Sequence, residues 1–258
     1  MSVLAILQAR VSSTRLPGKV LKPLLGEPML IRQIERVQRC RLIDKLVVAT
    51  SVDSSDDALI EVLSKAGIAC FRGSLDDVLE RFYQAAKPYQ PEHVVRLTGD
   101  CPLADPMLID EAIQAHLASG ADYTSTALSP TYPDGLDVEV IRFAALERAW
   151  REAGLPSERE HVTPYIYHHP ELFRLESVEQ TENMSSLRWT VDEPADFVFV
   201  ERVYAELYPI NPAFAMNDVL ALLKKRPEFI GINAQFERNE GFKKSLLTDN
   251  KLLRNRND

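Results

Sequence analysis

What the chain lacks narrows the field before anything it contains. No run of about 18 or more uncharged apolar residues occurs along it, which excludes an ordinary membrane-spanning helix. The opening MSVLAILQARVSSTR has a charge-free start, a short apolar stretch and no small-residue cleavage site, unlike a secretory leader. The expectation is therefore a cytoplasmic protein with no membrane contact. Cysteine is scarce: Cys40, Cys70 and Cys101 are odd in number and form no C-x-x-C or Cys/His cluster, which argues against a zinc site or a disulfide framework. Neither G-x-x-x-x-G-K-[ST] nor G-x-G-x-x-G is present, so the P-loop and the dinucleotide fingerprint are absent. Positive charge is in deficit overall, with a net charge of -8, so no nucleic-acid polymer is expected as a partner.

The deficit is unevenly spread. Residues 1 to 41 hold Arg10, Arg15, Lys19, Lys22, Arg32, Arg36, Arg39 and Arg41 against only Glu27 and Glu35. A cationic segment in an acidic protein suits a small polyanion, although such runs are also common on solvated helix faces.

At 258 residues and 45% apolar composition the chain can bury one substantial core. Val3 to Ala9 is a continuous apolar run of strand length, as expected of a strand buried on both faces. After a polar loop, Pro28 opens a helix with Leu30, Ile31, Ile34 and Val37 at helical spacing. Strand 46–50, helix 56–66, strand 68–71, helix 76–86 and strand 93–98 follow. This alternation predicts an α/β fold of three layers, with a mostly parallel central sheet and ligands beyond the carboxyl ends of its strands. From about Asp122 the rhythm changes. Strands at 122–126 and 137–141 flank the turn-rich SPTYPDG, and helices at 143–153 and 159–168 come next. Strand 187–191 and helices 194–208 and 217–225 complete the pattern. The expected organisation is one domain over 1–235 with an inserted subregion at about 125–185, then a polar tail over 236–258 that frays.

The loop Gln8-Ala-Arg-Val-Ser-Ser-Thr-Arg-Leu-Pro-Gly-Lys19 carries the chemistry. Arg10, Arg15 and Lys19 can neutralise phosphate oxygens. Ser12, Ser13 and Thr14 can donate hydrogen bonds, and Gly18 lets backbone approach a ligand closely. The plain alternative is an exposed basic loop.

This string resembles the cytidylyltransferase family that includes the spore coat polysaccharide biosynthesis proteins of type F. It is more distantly similar to the synthetases of CMP-activated acylneuraminate and 3-deoxy-manno-octulosonate. Arg10, Ser13, Arg15, Leu16, Pro17, Gly18 and Lys19 carry the match. It continues through 47–51, 71–74, 76–81, 96–102, 134–137 and 160–164, over roughly residues 1 to 200. The resemblance implies a Rossmann-like nucleotidyltransferase fold of glycosyltransferase-A type. It implies CTP and a sugar acceptor as partners and Mg²⁺ as cofactor. It places the base against Gln8, Ala9 and the end of the 93–98 strand, with Arg96, Thr98 and Gly99 lining the pocket. Pairing of two copies through the subregion is a further implication, although no interface stripe is visible.

Asp100 follows a strand through Thr98-Gly99, at the sheet's carboxyl edge, where Mg²⁺ would find a hard oxygen ligand. Asp192 stands after the 187–191 strand and matches the second metal aspartate of the similar synthetases, with Asp196 the nearby alternative. The other reading of Asp192 is a helix N-cap ahead of Pro194. Asp76 and Asp77 are explained by the dipole of the helix that they open. Asp134, Asp137 and Glu139, the last two on one strand face, offer acceptors for sugar hydroxyls, and His161 offers a titratable imidazole. A bonded structural network would use the same residues, and Asp134-Gly135 also spells a hairpin turn.

The reaction so implied is attack of a sugar hydroxyl, that of a keto-acid sugar on the family's precedent, on the α-phosphorus of CTP, with pyrophosphate leaving. Catalysis would rest on positioning and charge neutralisation by Arg10, Arg15, Lys19 and the metal. A general base is not assigned by the sequence. Two rivals stand beside it. A nucleotide-sugar-dependent glycosyltransferase commonly holds metal through a D-x-D pair, whereas Asp100 is followed by Cys101 and Pro102. A non-catalytic nucleotide-binding scaffold would have no need of the full set of cations and both aspartates.

Overall fold

The computed structural model describes residues 2–238 together with Phe242, Ser245, Leu246, Thr248 and Asp249. Seven strands form the main sheet: β1 (Val3–Gln8), β2 (Lys45–Ser51), β3 (Cys70–Gly73), β4 (His93–Thr98), β5 (Tyr123–Ser125), β6 (Glu139–Arg142) and β7 (Leu175–Ser177). Their order is β3-β2-β1-β4-β6-β5-β7. Pairing is parallel except where β6 runs antiparallel to β4 and β5.

Alternation along β1 builds a core on each face. Val3, Ala5 and Leu7 face one cluster, and Leu4 and Ile6 face the other. The first cluster is closed by α1 (Met29–Val37), α2 (Asp57–Lys65), α4 (Pro106–Ser119), α8 (Pro194–Leu207) and α9 (Met216–Lys225). The second is closed by α3 (Val78–Ala86), α5 (Phe143–Glu152) and α7 (Pro164–Tyr167). This is the expected three-layer α/β fold. No helix among the described residues is long and apolar enough to cross a membrane.

Some elements depart from the sequence reading. Helix α4, absent from it, is capped by Asp105, which accepts from Met107 N at 2.8 Å, has Pro106 in its first turn, and ends at Gly120 with φ 65°. The expected helix over 159–168 is two: α6 (Pro156–His161) stops at Val162, whose φ is 74°, and Pro164 opens α7. Pro164 cannot donate to a preceding turn, so the helix restarts there. Residues 187–191 make no strand. Arg188 forms one bridge to Asp134, and Trp189 N and Thr190 N both donate to Asp134 O, at 2.6 and 2.9 Å. The run is apolar because Trp189 and Val191 insert into the core. Residues 123–177 contribute β5, β6 and β7 to the main sheet.

Far from the sheet's carboxyl edge, His93 Nδ1 lies 3.0 Å from His116 Nε2, and His116 Nδ1 lies 2.8 Å from Thr124 Oγ1. Burial depresses both imidazoles, His116 to about 4 from an ordinary 6.5. The unfolded chain therefore binds these protons at a higher pH than the folded one. Stability is intact above about pH 6.5 and falls as the pH drops toward about 4. Moving from pH 7.5 to pH 5 is expected to cost about 2 kcal/mol through His116 alone, read by urea unfolding. A His116→Gln variant is expected to lose that share of the pH dependence, and equal slopes for the two proteins would show the assignment to be wrong.

Candidate functional site

The first loop is folded on itself before any ligand arrives. Val11 O accepts from Ser13 N at 2.8 Å and from Gly18 N at 3.0 Å, closing the loop, and Gly18 holds φ 71°. Leu16 is buried, and its amide donates to Ser13 Oγ at 3.3 Å. The loop is moored to the sheet by a residue the sequence reading treated only as a helix start. Asp56, with no exposed surface, accepts from Val11 N at 2.7 Å on one oxygen. Its other oxygen accepts from Thr50 Oγ1 at 2.8 Å, Ser51 N at 3.0 Å and Ser51 Oγ. Burial opposes this charge, but those hydrogen bonds prevail and hold the carboxyl below its ordinary value.

Asp100 and Asp192 meet at Lys19. Lys19 Nζ donates to Asp100 Oδ2 at 3.1 Å, Asp192 Oδ1 at 2.9 Å and Val191 O at 2.8 Å. Arg15 Nη2 reaches the same Asp192 oxygen at 3.0 Å. Burial favours loss of the Lys19 proton, yet the two aspartates outweigh it and raise its pKa. Burial likewise opposes the Asp100 charge, and Lys19 with neighbouring hydrogen bonds overcomes it, taking that carboxyl to about 2. The backbone joins the two loops: Val191 N donates to Asp100 O at 2.8 Å. Gly99 is required where β1 and β4 end, because a Cβ there would stand 2.9 Å from Ala9 Cβ and 2.9 Å from Gln8 O.

The cap reading of Asp192 is not what the structure shows, since Glu193 occupies the N-cap of α8. Asp196 is a hub and not a ligand. It is fully buried and accepts from Arg188 Nε and Nη2 at 2.9 Å each, Asp192 N at 2.9 Å and Asn233 Nδ2 at 2.8 Å. Asp77 caps α3 through Glu80 N at 2.9 Å and pairs with Arg159 at 2.6 Å.

These residues line one cavity of about 1130 Å³, which runs from the first loop to α6. Its lining includes Gln8, Ala9, Arg10, Ser13, Thr14, Arg15 and Lys19, together with Arg96, Thr98 and Gly99. Gly18 is set back, shaping the loop. Arg81, which closes the 76–81 stretch of the resemblance but was given no role there, also lines the cavity. It is 2% exposed, donates to Ser74 O at 2.6 Å, and its Nε has no hydrogen-bond partner among the described residues. Burial first, and the Arg10 guanidinium second, lower its pKa to about 10. Two guanidiniums repelling each other at a cavity wall are relieved by an anion.

Asp134, Asp137, Glu139 and His161 all line the same cavity. Asp134 pairs with Arg188 at 3.2 Å, and burial, reinforced by Asp137, raises its carboxyl to about 7. Gly135, at φ 104°, lies where a Cβ would sit 2.4 Å from Thr190 N; the dipeptide is a close backbone contact and not a free hairpin. Asp137 precedes β6, so it does not share a strand face with Glu139. Glu139, at the first position of β6, accepts from Tyr123 Oη and Thr163 Oγ1, each at 2.6 Å, and pairs with Arg96. Arg96 Nε also holds Gln8 Oε1 at 3.2 Å.

The tail supplies residues that its polar composition did not advertise. Ser245 Oγ lies 2.9 Å from His161 Nε2, Phe242 packs edge-on to that ring, and Asp249 accepts from Ser157 N at 3.0 Å. Arg238 pairs with Asp137. The remainder of the expected frayed segment, including 250–258, lies outside the described residues.

Two carboxylate oxygens converging on one cation are what a divalent ion requires, with substrate phosphates and water to complete its shell. Among the described residues no group of three or more His, Cys, Asp or Glu side chains is placed to hold a metal ion.

A parallel sheet with a folded cationic loop and two facing aspartates at its carboxyl edge defines a nucleotidyltransferase. Residues 4–210 match the cytidylyltransferase family, and the chain belongs to it. It is 36% identical over 233 residues to the spore coat polysaccharide biosynthesis protein SpsF of Bacillus subtilis, covering 88% of this chain and 95% of that one. An uncharacterised protein of Methanocaldococcus jannaschii is 37% identical over 236 residues, covering 91% of this chain and 95% of that one. The solved structure of a cytidylyltransferase from Leptospira borgpetersenii superposes with a TM-score of 0.86 at 31% identity, over 92% of this chain and 100% of that one. A CMP:2-keto-3-deoxy-manno-octonic acid synthetase complexed with CTP shares the fold, with a TM-score of 0.62 at 16% identity over 80% and 99% of the two chains.

The mooring of the first loop is open to test. Asp56→Asn places an NH₂ group against the Thr50 and Ser51 donors or the Val11 amide. It is expected to cost about 1–3 kcal/mol of stability and to weaken CTP binding by about tenfold or more. Thermal unfolding and nucleotide titration measure the two effects. Unchanged CTP affinity in the folded variant would mean that the loop keeps its shape without Asp56.

Proposed function

We propose that the chain transfers CMP from CTP to a hydroxyl of a sugar, with release of pyrophosphate, and that the acceptor is a keto-acid sugar destined for a surface polysaccharide or spore coat. The observation that carries the reading is the convergence of Lys19, Arg15, Asp100 and Asp192 in a cavity that Asp134, Asp137, Glu139 and His161 also line. The relatives support it. SpsF is named for spore coat polysaccharide biosynthesis. A 3-deoxy-manno-octulosonate cytidylyltransferase of Anaeromyxobacter dehalogenans is 38% identical over 128 residues, about half of each chain.

In this reading Gln8, Ala9, Arg96, Thr98 and Gly99 receive the nucleoside. Arg10, Arg15 and Lys19 neutralise the phosphates, Ser13 and Thr14 donate to them, and Gly18 keeps the loop's backbone close. Asp134, Asp137, Glu139 and His161 form the acceptor wall. Asp100 and Asp192 would hold Mg²⁺, which supplies charge neutralisation at the phosphates when bound. Lys19 then orients both aspartates and faces the departing pyrophosphate. The Arg10 and Arg81 guanidiniums, forced together in the free protein, gain most from a polyanion.

The test is pyrophosphate release with each of the four ribonucleoside triphosphates and Mg²⁺ against a panel of keto-acid sugars and sugar phosphates. Release with CTP alone, and only when an acceptor is present, is the expected result. Consumption of a nucleotide-sugar without such release would replace the reading with a glycosyltransferase. Lys19→Ala is expected to lower turnover by about 10²-fold or more. Full biological complementation by that variant would favour the scaffold.

A further inference from the structure

Transfer to a sugar hydroxyl requires a group that takes the hydroxyl proton, and the cavity's carboxylates are not equivalent candidates. Asp100 and Asp192 are committed to Lys19 and Arg15. Glu139 is filled by two hydroxyl donors and Arg96. Asp77 caps α3 and binds Arg159. Asp134 is 8% exposed and held by Arg188. Glu160 accepts from Ser245, and Glu237 has a partner of its own. Asp76 is exposed just ahead of α3.

Asp137 combines an arginine partner with an open oxygen. Its side chain is 30% exposed and lines the cavity, Arg238 holds only its Oδ1, and Oδ2 has no hydrogen-bond donor among the described residues. The charges of Glu139 and Asp100 both act on it.

We infer that Asp137 is the general base of the transfer, its free oxygen receiving the proton of the attacking sugar hydroxyl while Arg238 fixes the carboxylate's orientation. The inference rests on the transfer reading above. As the acceptor oxygen bonds to the α-phosphorus, the bond from that phosphorus to the bridging oxygen breaks. Pyrophosphate leaves with the electron pair, and the proton stays on Asp137 until solvent removes it. Burial raises the proton affinity of Asp137, Glu139 and Asp100 add to it, and Arg238 opposes it. Asp134, from the same loop, titrates beside it. A carboxylate so placed is a stronger base than a solvated one.

Asp137→Asn and Asp137→Glu, each checked by thermal unfolding and CTP titration, decide the matter. Asp137→Asn is expected to lower kcat by about 10²- to 10⁴-fold with CTP affinity changed by no more than about twofold, and to abolish the acidic limb of the kcat–pH profile. Asp137→Glu, which keeps the basic group, is expected to recover part of the rate and to retain the limb. An Asp137→Asn enzyme with undiminished kcat overturns the base while leaving the transfer reading intact. Parallel loss of CTP binding in both variants overturns it in favour of a structural role. A wild-type enzyme that gives no acceptor-dependent pyrophosphate with any acceptor overturns the transfer reading, and the base with it.

Discussion

One buried ammonium group organises the molecule's working end. Lys19 binds a carboxylate from the loop after β4, a carboxylate from the segment before α8 and a main-chain carbonyl beside the latter. Without that cation, two aspartates would face each other across a partly dry space, and repulsion would open the seam between two loops. The same charge that fastens the seam is also placed to meet phosphate. Structure and chemistry therefore draw on one interaction, and Asp196, Asp56 and Gly99 matter because they bring its partners within reach.

Much of this was legible in the residues. The β1 to β4 alternation and the Arg10–Lys19 loop are local patterns, each written within a dozen or so residues, and the structure reproduces them. Asp100 was legible because a glycine after a strand marks a sheet edge. Asp192 was singled out by resemblance, and the structure sets it opposite Asp100 across Lys19, although the strand assumed to deliver it does not exist: buried Trp189 and Val191 mimic a strand's apolar run while packing as single side chains.

What stayed hidden depends on contacts between distant segments. Asp56 looks like an ordinary helix-opening aspartate, and only the fold shows that its carboxylate reaches back to Val11. Arg81 sits on a helix whose amphipathic pattern gives no sign that a charged residue is enclosed. Arg238 and Ser245 belong to a stretch whose polarity predicts fraying, yet their partners, Asp137 and His161, were already named. Polar composition reports solvent preference averaged along a segment, and says nothing of an isolated ion pair that pins it.

The Lys19–Val191 hydrogen bond joins residues 172 positions apart, about twice the separation between the β1 residues and their β4 partners, such as Val3 and His93. Contacts of such long range are paid for in loop entropy before they give anything back. The sheet and the site thus belong to different levels of cooperativity: a chain can hold its strands while the seam is open. Enzymatic competence becomes a more sensitive gauge of complete folding than helix or strand content, and mild denaturant should silence the enzyme before its backbone structure registers a change.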